Sequence, residues 1–320
     1  NNHVCQTFQD SRGIIWLITE AGVNRFDGRG FKPVSQIKIY EGEATRTRIF
    51  LEDQDGDLWI GDYKHPTVCL NIYTEQVVDP KRKFGSKFPV KIYGAAPGLK
   101  GTFILRTGQN EIALFDRNVG ITHTYKTDWE ILEIASETEK NVLWVYEDDH
   151  VKGGRFVALD NQWKVCRTIP YKGLIAQTVH ILDNEKLCYF TQDSFFVASK
   201  NGIEQRRSIQ AISPRFHYAN PFATGYYYVS GINRQTGEIM FFSRDHLVQF
   251  DRQLRLTHDF TDPANRIPFT QVFDIRYDEQ GNIWLGTFEG LFKVWFSQKN
   301  FRQFLVTPPQ DAQASELKSC

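Results

Sequence analysis

The chain repeats one short pattern: an aspartate, a glycine three positions later, and a tryptophan three positions after the glycine. The pattern occurs at three distant places, namely Asp10, Gly13 and Trp16, then Asp53, Gly56 and Trp59, and finally Asp278, Gly281 and Trp284. Fixed spacing at distant places indicates one supersecondary unit used repeatedly. Aspartate can bond the turn backbone and glycine supplies the positive φ of a tight hairpin, so we predict a turn followed by a strand that carries the tryptophan.

A second pattern checks the first independently. A hydrophobic residue followed by aspartate, which we assign to a third-to-fourth strand turn, occurs at Phe26-Asp27, Phe115-Asp116, Leu159-Asp160 and Phe250-Asp251, with Leu70-Asn71 in the remaining place. The four aspartates lie 89, 44 and 91 residues apart, which is two, one and two periods of about 45 residues. The same period predicts second-strand equivalents of the repeated tryptophans near Phe103, Trp144, Cys188 and Met240.

Seven units of this period account for nearly the whole chain, and each contains four short strands joined by turns. Units of about 40–45 residues with four strands are typical of propeller blades. We therefore predict an all-β fold, a seven-bladed β-propeller of four-stranded antiparallel blades, with residues 307–320 as a linker to a following domain. The predicted blades lie near residues 3–36, 46–79, 93–126, 129–169, 174–210, 216–260 and 269–306. An open solenoid or two β-sandwiches are the alternatives.

Composition agrees with this class and excludes others. The 38 Lys and Arg residues balance the 38 Asp and Glu residues, which argues against a nucleic-acid-binding face. Aromatic residues make up 14% of the chain, and these favour pleated strands. No apolar run is long enough to cross a bilayer. The five cysteines form no C-x-x-C pair, and we expect Cys69 and Cys188, which lie in apolar runs, to be buried free thiols.

The length of the connections predicts where a ligand binds. In a propeller, the first-to-second and third-to-fourth turns lie on one face, and here they are short. Longer connections, among them 37–47, 62–67, 79–91, 147–155, 212–225 and 261–268, are expected on the opposite face, where loops carry function. Two of these connections combine cations, imidazoles, aromatics and an amide, which suits hydroxyls or a carboxylate. The predicted ligand-binding residues are Arg215, His217, Tyr218, Asn220, Lys64 and His65.

No catalytic or metal-binding motif stands out. The chain has no G-x-S-x-G, no H-E-x-x-H and no phosphate-binding glycine loop. The glycine of the Asp53–Asp57 segment comes two places too early for an EF-hand, so we interpret that segment as a turn. The acidic run 147–150 is expected to be a solvated loop. We therefore predict no cofactor and no metal, and interpret Trp16, Trp59, Trp144 and Trp284 as structural because their position repeats.

The three strong copies and the residues that follow them resemble the two-component regulator propeller repeat. The resemblance continues through Gly22-Val23-Asn24-Arg25-Phe26-Asp27-Gly28 in the first unit and Thr287-Phe288-Glu289-Gly290-Leu291-Phe292 in the last. The opening segment, residues 1–13, is also similar to the usual start of such sensors. The match is strong in units one, two and seven, partial in unit four, and degenerate in the others.

This resemblance implies the first propeller of the periplasmic sensor region of a Bacteroidetes-type hybrid two-component system. In that family a second propeller, a β-sandwich, a membrane span and a histidine kinase follow, and the ligands are oligosaccharides from glycan breakdown. It implies no enzymatic activity in this region, no nucleic-acid contact here, and a possible homodimer through the full-length protein.

Two other function classes stay open from the residues alone. One is a protein-docking scaffold that uses the face with the longer connections. The other is a polysaccharide lyase or glycosidase, with His217 and Tyr218 as acid and base and Arg215 neutralising charge.

Overall fold

The structure of this chain is a computed structural model. It describes residues 3–34, 37, 47–62, 67–89, 91–137, 142–149, 153–171, 175–182, 186–191, 194–199, 201–208, 228–243, 246–260, 269, 271–295, 300–304 and 316–317. Over these ranges it is built almost entirely of strands, with one short α-helix, α1 (Pro80–Phe84), and two 3-10 turns, Gly85–Lys87 and Leu99–Gly101. Within the described residues, no helix combines the length and apolarity needed to span a membrane.

The strands form seven antiparallel sheets made of strands consecutive in the chain, six of them with four strands and the last with five. Blades 1 to 4 contain β1 (Val4–Gln9), β2 (Ile15–Thr19), β3 (Gly22–Phe26) and β4 (Phe31–Val34); β5 (Arg48–Glu52), β6 (Asp57–Gly61), β7 (Val68–Asn71) and β8 (Val77–Val78); β9 (Gly94–Pro97), β10 (Phe103–Arg106), β11 (Glu111–Asp116) and β12 (Gly120–Lys126); and β13 (Glu130–Glu137), β14 (Val142–Asp148), β15 (Gly154–Leu159) and β16 (Val165–Tyr171). Blades 5 to 7 contain β17 (Ile175–Ile181), β18 (Leu187–Thr191), β19 (Ser194–Ser199) and β20 (Gly202–Ser208); β21 (Tyr228–Ile232), β22 (Ile239–Ser243), β23 (His246–Phe250) and β24 (Leu256–Asp259); and β25 (Val272–Tyr277), β26 (Ile283–Thr287), β27 (Leu291–Trp295) and β28 (Asn300–Phe304).

The predicted fold, a seven-bladed β-propeller of four-stranded antiparallel blades, is confirmed. The equivalents of the repeated tryptophans at Phe103, Trp144, Cys188 and Met240 all lie in the second strand of their blades. The last sheet carries one further strand, β29 (Glu316–Leu317), which pairs with β28. Each blade is built from strands that follow one another in the chain.

The blades group into two compact units. Unit 1 comprises residues 1–47, 176–178 and 207–320, and thus blades 1, 6 and 7; unit 2 comprises residues 48–175 and 179–206, and thus blades 2 to 5. In unit 1 the first strand of blade 7, β25, contacts both β21 and β1. The backbone N–H and the hydroxyl of Thr7 both donate to the Asp274 carboxylate, at 2.8 and 2.7 Å. Blade 7 is therefore bonded directly to blade 1.

The core of unit 2 lies between neighbouring blades. First strands contact first strands, as β5 contacts β9 and β9 contacts β13, and the fourth strands β12 and β20 are mostly exposed. Between blades 2 and 3, Trp59 stacks on Phe103 with ring centroids 4.7 Å apart. Between blades 4 and 5, Phe156 contacts Tyr189 at 4.5 Å. Fully burying one such ring contributes roughly 1.5–3 kcal/mol, so each sheet is stabilised by the sheets beside it.

The connection 79–91 differs from expectation, because α1 lies against the short-turn side of blades 2 and 3. Lys83 donates to carboxylates of the β5–β6 turn, and Lys87 Nζ donates to the Asn118 carbonyl of the β11–β12 turn at 2.5 Å. The physical reason is that β8 is only two residues long. The helix α1 therefore begins before the chain has crossed the blade. Two residues favour its start: the Asp79 side chain accepts a hydrogen bond from Lys81 N, and Pro80 occupies the first turn.

Candidate ligand-binding site

The six residues predicted to bind a ligand lie outside the described part of the chain, as do the acid, base and charge-neutralising residues of the enzymatic alternative. These are Arg215, His217, Tyr218, Asn220, Lys64 and His65. In unit 2, the face predicted to carry the longer connections is described where blade 3 leads into blade 4. The connection between those blades carries part of a group of side chains centred on Glu147.

The connection from β12 to β13 is held rigidly against the β10–β11 turn. Thr127 N donates to the Asn110 carbonyl at 3.1 Å, and the Asn110 side-chain amide donates back to the Thr127 carbonyl at 2.8 Å. Ile131 N donates to the Gln109 carbonyl at 2.7 Å. Hydrogen bonds to blade 3 on both sides of Trp129 therefore fix its backbone.

Glu147 is the centre of the group, at the end of β14, and it is completely buried. Its carboxylate accepts from the Tyr125 hydroxyl at 2.5 Å, the Thr127 hydroxyl at 3.2 Å and Arg155 Nε at 2.6 Å. Arg155 Nη2 also donates to the Thr127 hydroxyl, at 3.1 Å. A buried carboxylate is tolerated only when it is paired and hydrogen-bonded, and these donors come from two blades. The expectation that the acidic run 147–150 is a solvated loop is wrong at Glu147.

Trp129 lies over this buried pair. The Arg155 guanidinium carbon is 4.3 Å from the centroid of the Trp129 ring, a cation–π contact. The indole N–H of Trp129 and the Nη1 group of Arg155 have no acceptor among the described residues, and neither is a buried unsatisfied atom. We call Tyr125, Thr127, Trp129, Glu147 and Arg155 the Trp129 site. It presents a half-buried aromatic ring and two donors that have no acceptor within the described part of the chain.

A second ion pair borders the Trp129 site on the side of the first strands. Arg106, at the end of β10, lies 3.4 Å from the Glu130 carboxylate at the start of β13, and its Nε donates to the Gly108 carbonyl at 3.2 Å. Burial lowers the pKa of Arg106, and the charge of Glu130 acts in the opposite direction. Both guanidinium groups of this surface therefore face a carboxylate.

The Tyr125 phenol of the Trp129 site is a hydrogen-bond donor at neutral pH. Burial, and then the hydrogen bond to Glu147, raise the pKa of the Tyr125 phenol, so it stays protonated and donates. Among the described residues, no group of three or more His, Cys, Asp or Glu side chains is placed to hold a metal ion. The arrangement suits binding of hydroxyls and a ring face, as aromatic sites with few polar groups do.

Trp129 was not among the residues predicted from sequence, because those lie in the longer connections and the connection from β12 to β13 is short. A usable signal was present nonetheless. Trp129 does not occupy the repeated tryptophan position, so the packing of a blade does not require it there, and an off-register aromatic in a connection invites a functional explanation.

The aspartates of the predicted turn in blade 2 stabilise the fold through ion pairs. In blade 2, Lys83 Nζ lies 2.9 Å from the carboxylates of both Asp53 and Asp55 and 2.5 Å from that of Asp57. Arg117 Nη1 pairs with Asp55 at 2.7 Å. The three carboxylates of the segment interpreted as a turn thus face the Lys83 ammonium group.

On the connection side of unit 1, His3 Nδ1 lies 2.7 Å from the Glu20 carboxylate. The His3 ring lies 5.3 Å from that of Phe288, which is largely exposed. This pair is tied into the contact between blades 1 and 7, where the His3 ring also lies 4.2 Å from that of Phe273, and we take the Trp129 site as the stronger candidate.

Comparison with known proteins places the repeat and the fold. Residues 266–289 match the family model described as two component regulator propeller, so the chain carries a repeat of that type, as its sequence indicates. No curated protein matches the chain in sequence.

Three solved structures share the fold. The extracellular domain of a putative hybrid two component system from B. thetaiotaomicron is 18% identical, with a TM-score of 0.64 over 95% of this chain and 39% of its own. Streptogramin B lyase is 14% identical, with a TM-score of 0.61 over 92% of this chain and 93% of its own. PorZ, a surface component of the type-IX secretion system of Porphyromonas gingivalis, is 10% identical, with a TM-score of 0.58 over 99% of this chain and 38% of its own. This chain thus spans about two fifths of the hybrid-system domain, and at these identities the likeness shows the fold alone.

Proposed function

We propose that this chain is a ligand-sensing propeller from the extracytoplasmic, periplasmic part of a hybrid two-component sensor, and that it recognises oligosaccharides. The observation that carries the proposal is the regulator-propeller repeat at residues 266–289, in a chain whose fold is also that of a hybrid two-component extracellular domain. A second propeller and a β-sandwich of the same polypeptide would follow, with residues 307–320 as the linker and dimerisation through the full-length protein.

The Trp129 site supports binding rather than catalysis. Its one buried carboxylate is neutralised by Arg155, and its phenol is held protonated. A sensor needs binding energy that differs between two states of the receptor, and no bond needs to be broken. Sugar binding against blades 3 and 4 would bias the position of the neighbouring domain, and the kinase would respond to that change.

The test is calorimetric titration of an oligosaccharide panel against this chain and against the whole extracytoplasmic region, with product analysis of each mixture. Saturable binding with unchanged sugar is the expected result. Shortened or unsaturated products would instead favour the enzymatic alternative. Streptogramin B lyase, which shares the fold, is an example of an enzyme with this architecture. Complete absence of binding in both proteins would contradict the proposed function and favour a docking scaffold.

A further inference from the structure

We infer that the Trp129 site selects uncharged saccharides, rejects acidic ones, and is complete within blades 3 and 4 of this chain. The inference rests on the proposed function, since it names the class of sugar that the proposed sensor takes. It depends on three features of the site: how its cations are already used, which ring face is open, and how firmly the connection is held.

The first feature is charge. A sugar carboxylate or sulfate is normally recognised by a guanidinium that offers a paired set of donors. Here Arg155 is already bonded to Glu147 at 2.6 Å, and Arg106 faces Glu130 at 3.4 Å. Moving Arg155 to an anion would leave the fully buried Glu147 carboxylate uncompensated, and breaking such a pair is strongly destabilising. Each of these two guanidinium groups is therefore balanced by a carboxylate, and the two ion pairs offer an acidic sugar no net positive charge.

The charges around the site act in the same direction. Asp128 lies in the connection beside Trp129, and Asp148 and Asp149 follow Glu147. Lys126 is the last residue of the outer strand β12, and its side chain is exposed. Like charges across a contact oppose binding, so the exposed Asp128 acts against an anion that approaches Trp129.

The second feature is the ring. Because the Arg155 guanidinium covers one face of Trp129, a ligand can stack only on the other face or approach the edge. The indole N–H and Arg155 Nη1, which have no acceptor among the described residues, can both donate to a ligand. A pyranose or furanose ring offers an apolar C–H face for the indole and hydroxyls that accept from these donors. Neutral hydroxyls can do this without disturbing the Arg155–Glu147 pair.

The third feature is preorganisation. The hydrogen bonds from Asn110 and Gln109 fix the backbone on both sides of Trp129, and the Glu147 network fixes Arg155. A site that is already ordered does not lose affinity to the ordering of its loops. All its residues belong to two consecutive blades of unit 2, so no residue of a following domain is needed to complete it.

The experiment titrates two panels of oligosaccharides of matched length into this 320-residue chain. One panel is neutral (gluco-, manno-, xylo- and arabino-oligosaccharides) and the other acidic (oligogalacturonides and sulfated oligosaccharides). The variants are Trp129→Ala and, as the matched control, Trp163→Ala. Trp163 is another partly buried tryptophan that lies in the β15–β16 turn of blade 4, on the short-turn side. Circular dichroism and thermal melting confirm that both variants fold.

The inference predicts that a neutral sugar binds the wild-type chain, that Trp129→Ala weakens this binding by about tenfold or more, and that Trp163→Ala leaves it within about twofold. The dissociation constant should change by less than about twofold between about 20 and 500 mM NaCl, because no ionic contact is involved. Preference for an acidic sugar would overturn the inference and leave the proposed function standing. Equal effects of the two substitutions, or binding only by the longer extracytoplasmic region, would do the same. Silence of both panels with that longer region as well would overturn the proposed function itself.

Discussion

Trp16 donates a 2.9 Å hydrogen bond from its indole nitrogen to Oδ2 of Asp10, six residues earlier. The other Asp10 oxygen accepts from the backbone N–H of Arg12 and of Ile14, at 2.9 and 3.0 Å. The same arrangement joins Asp53 to Trp59 at 3.0 Å and Asp278 to Trp284 at 2.9 Å. The spacing of the repeated pattern therefore has a physical cause: one carboxylate closes the turn and satisfies the buried indole of the next strand.

Replacing Asp10 with alanine tests this role. Asp10 and Trp16 are almost completely buried, so Asp10→Ala leaves an indole N–H and two backbone N–H groups without their acceptor. We expect the free energy of unfolding to fall by about 2–4 kcal/mol. Asp27→Ala is the control, because Asp27 is exposed and accepts only from backbone N–H groups of its turn, and it should cost about 1 kcal/mol. Urea unfolding measures both, and equal losses would contradict the role of the indole bond.

Replacing Lys83 should make stability less sensitive to acid. The hydrogen bond from Lys83 is the largest contribution that lowers the pKa of Asp55 below its usual 3.8. A carboxyl with a lowered folded pKa adds stability above its unfolded pKa, and that stability is lost as the pH falls through the lowered value. Lys83→Met should therefore be less stable than wild type at pH 7, and the difference should shrink below about pH 4.

The control for Lys83 is Arg82→Met, in the same helix but with an exposed side chain. Thermal unfolding from pH 7 down to about pH 3 measures all three proteins. A difference between wild type and Lys83→Met that stays constant over this range would contradict the proposed link to the carboxylates.

A substitution at Gly231 tests how closely the strands of blades 6 and 7 pack. A Cβ atom at Gly231 would lie 2.4 Å from the carbonyl oxygen of Ile275 in β25, and backbone cannot move away without separating the strands. We expect Gly231→Ala to lower the free energy of unfolding by about 1–3 kcal/mol. Gly30→Ala, where a Cβ would meet nothing within 4 Å, should change it by no more than about 0.5 kcal/mol. Comparable losses in the two variants would show that packing at Gly231 is looser than described.

The cysteines should divide by burial in a thiol-reactivity assay. Cys5, Cys69 and Cys188 are buried and Cys166 is exposed, and all four are free thiols. Burial raises the pKa of Cys188 to about 12, which suppresses the reactive thiolate. In a Cys320→Ser background, we expect a disulfide reagent at mildly alkaline pH to modify Cys166 rapidly and the other three thiols only after denaturant is added. Rapid modification of Cys166→Ser in the same background would contradict this assignment.

The Trp129 site predicts non-additive stability effects at its ion pair. Arg155→Leu leaves the Glu147 carboxylate buried without its cation, and we expect a loss of about 3–5 kcal/mol. Adding Glu147→Leu removes the unpaired charge, so the double variant should recover part of that loss. Denaturant titration of the two single variants and the double variant gives the coupling. Purely additive losses would mean that the 2.6 Å contact contributes nothing of its own.

The repeat could be read from sequence because its chemistry is local. The aspartate, glycine and tryptophan of one unit lie within seven consecutive positions, and each acts on the turn that contains it. Turn and strand follow from such residues without knowledge of distant ones. Even the degenerate units could be placed, since Phe103 and Met240 keep the apolar character that a second strand needs in order to pack between sheets.

The Trp129 site was not predictable in this way. It forms only when the end of β12, the end of β14 and the start of β15 lie side by side. In the sequence, nothing distinguishes Glu147 from a solvated acidic residue, because its partners Tyr125 and Arg155 are brought to it by the fold. The position of Lys83 likewise depends on how early β8 ends. The sequence alone determined the unit, its period and the number of blades, because those rest on contacts between near neighbours in the chain. Which charges are buried, neutralised or left available to a ligand was decided only by tertiary structure, because burial is a property of the blades packed together.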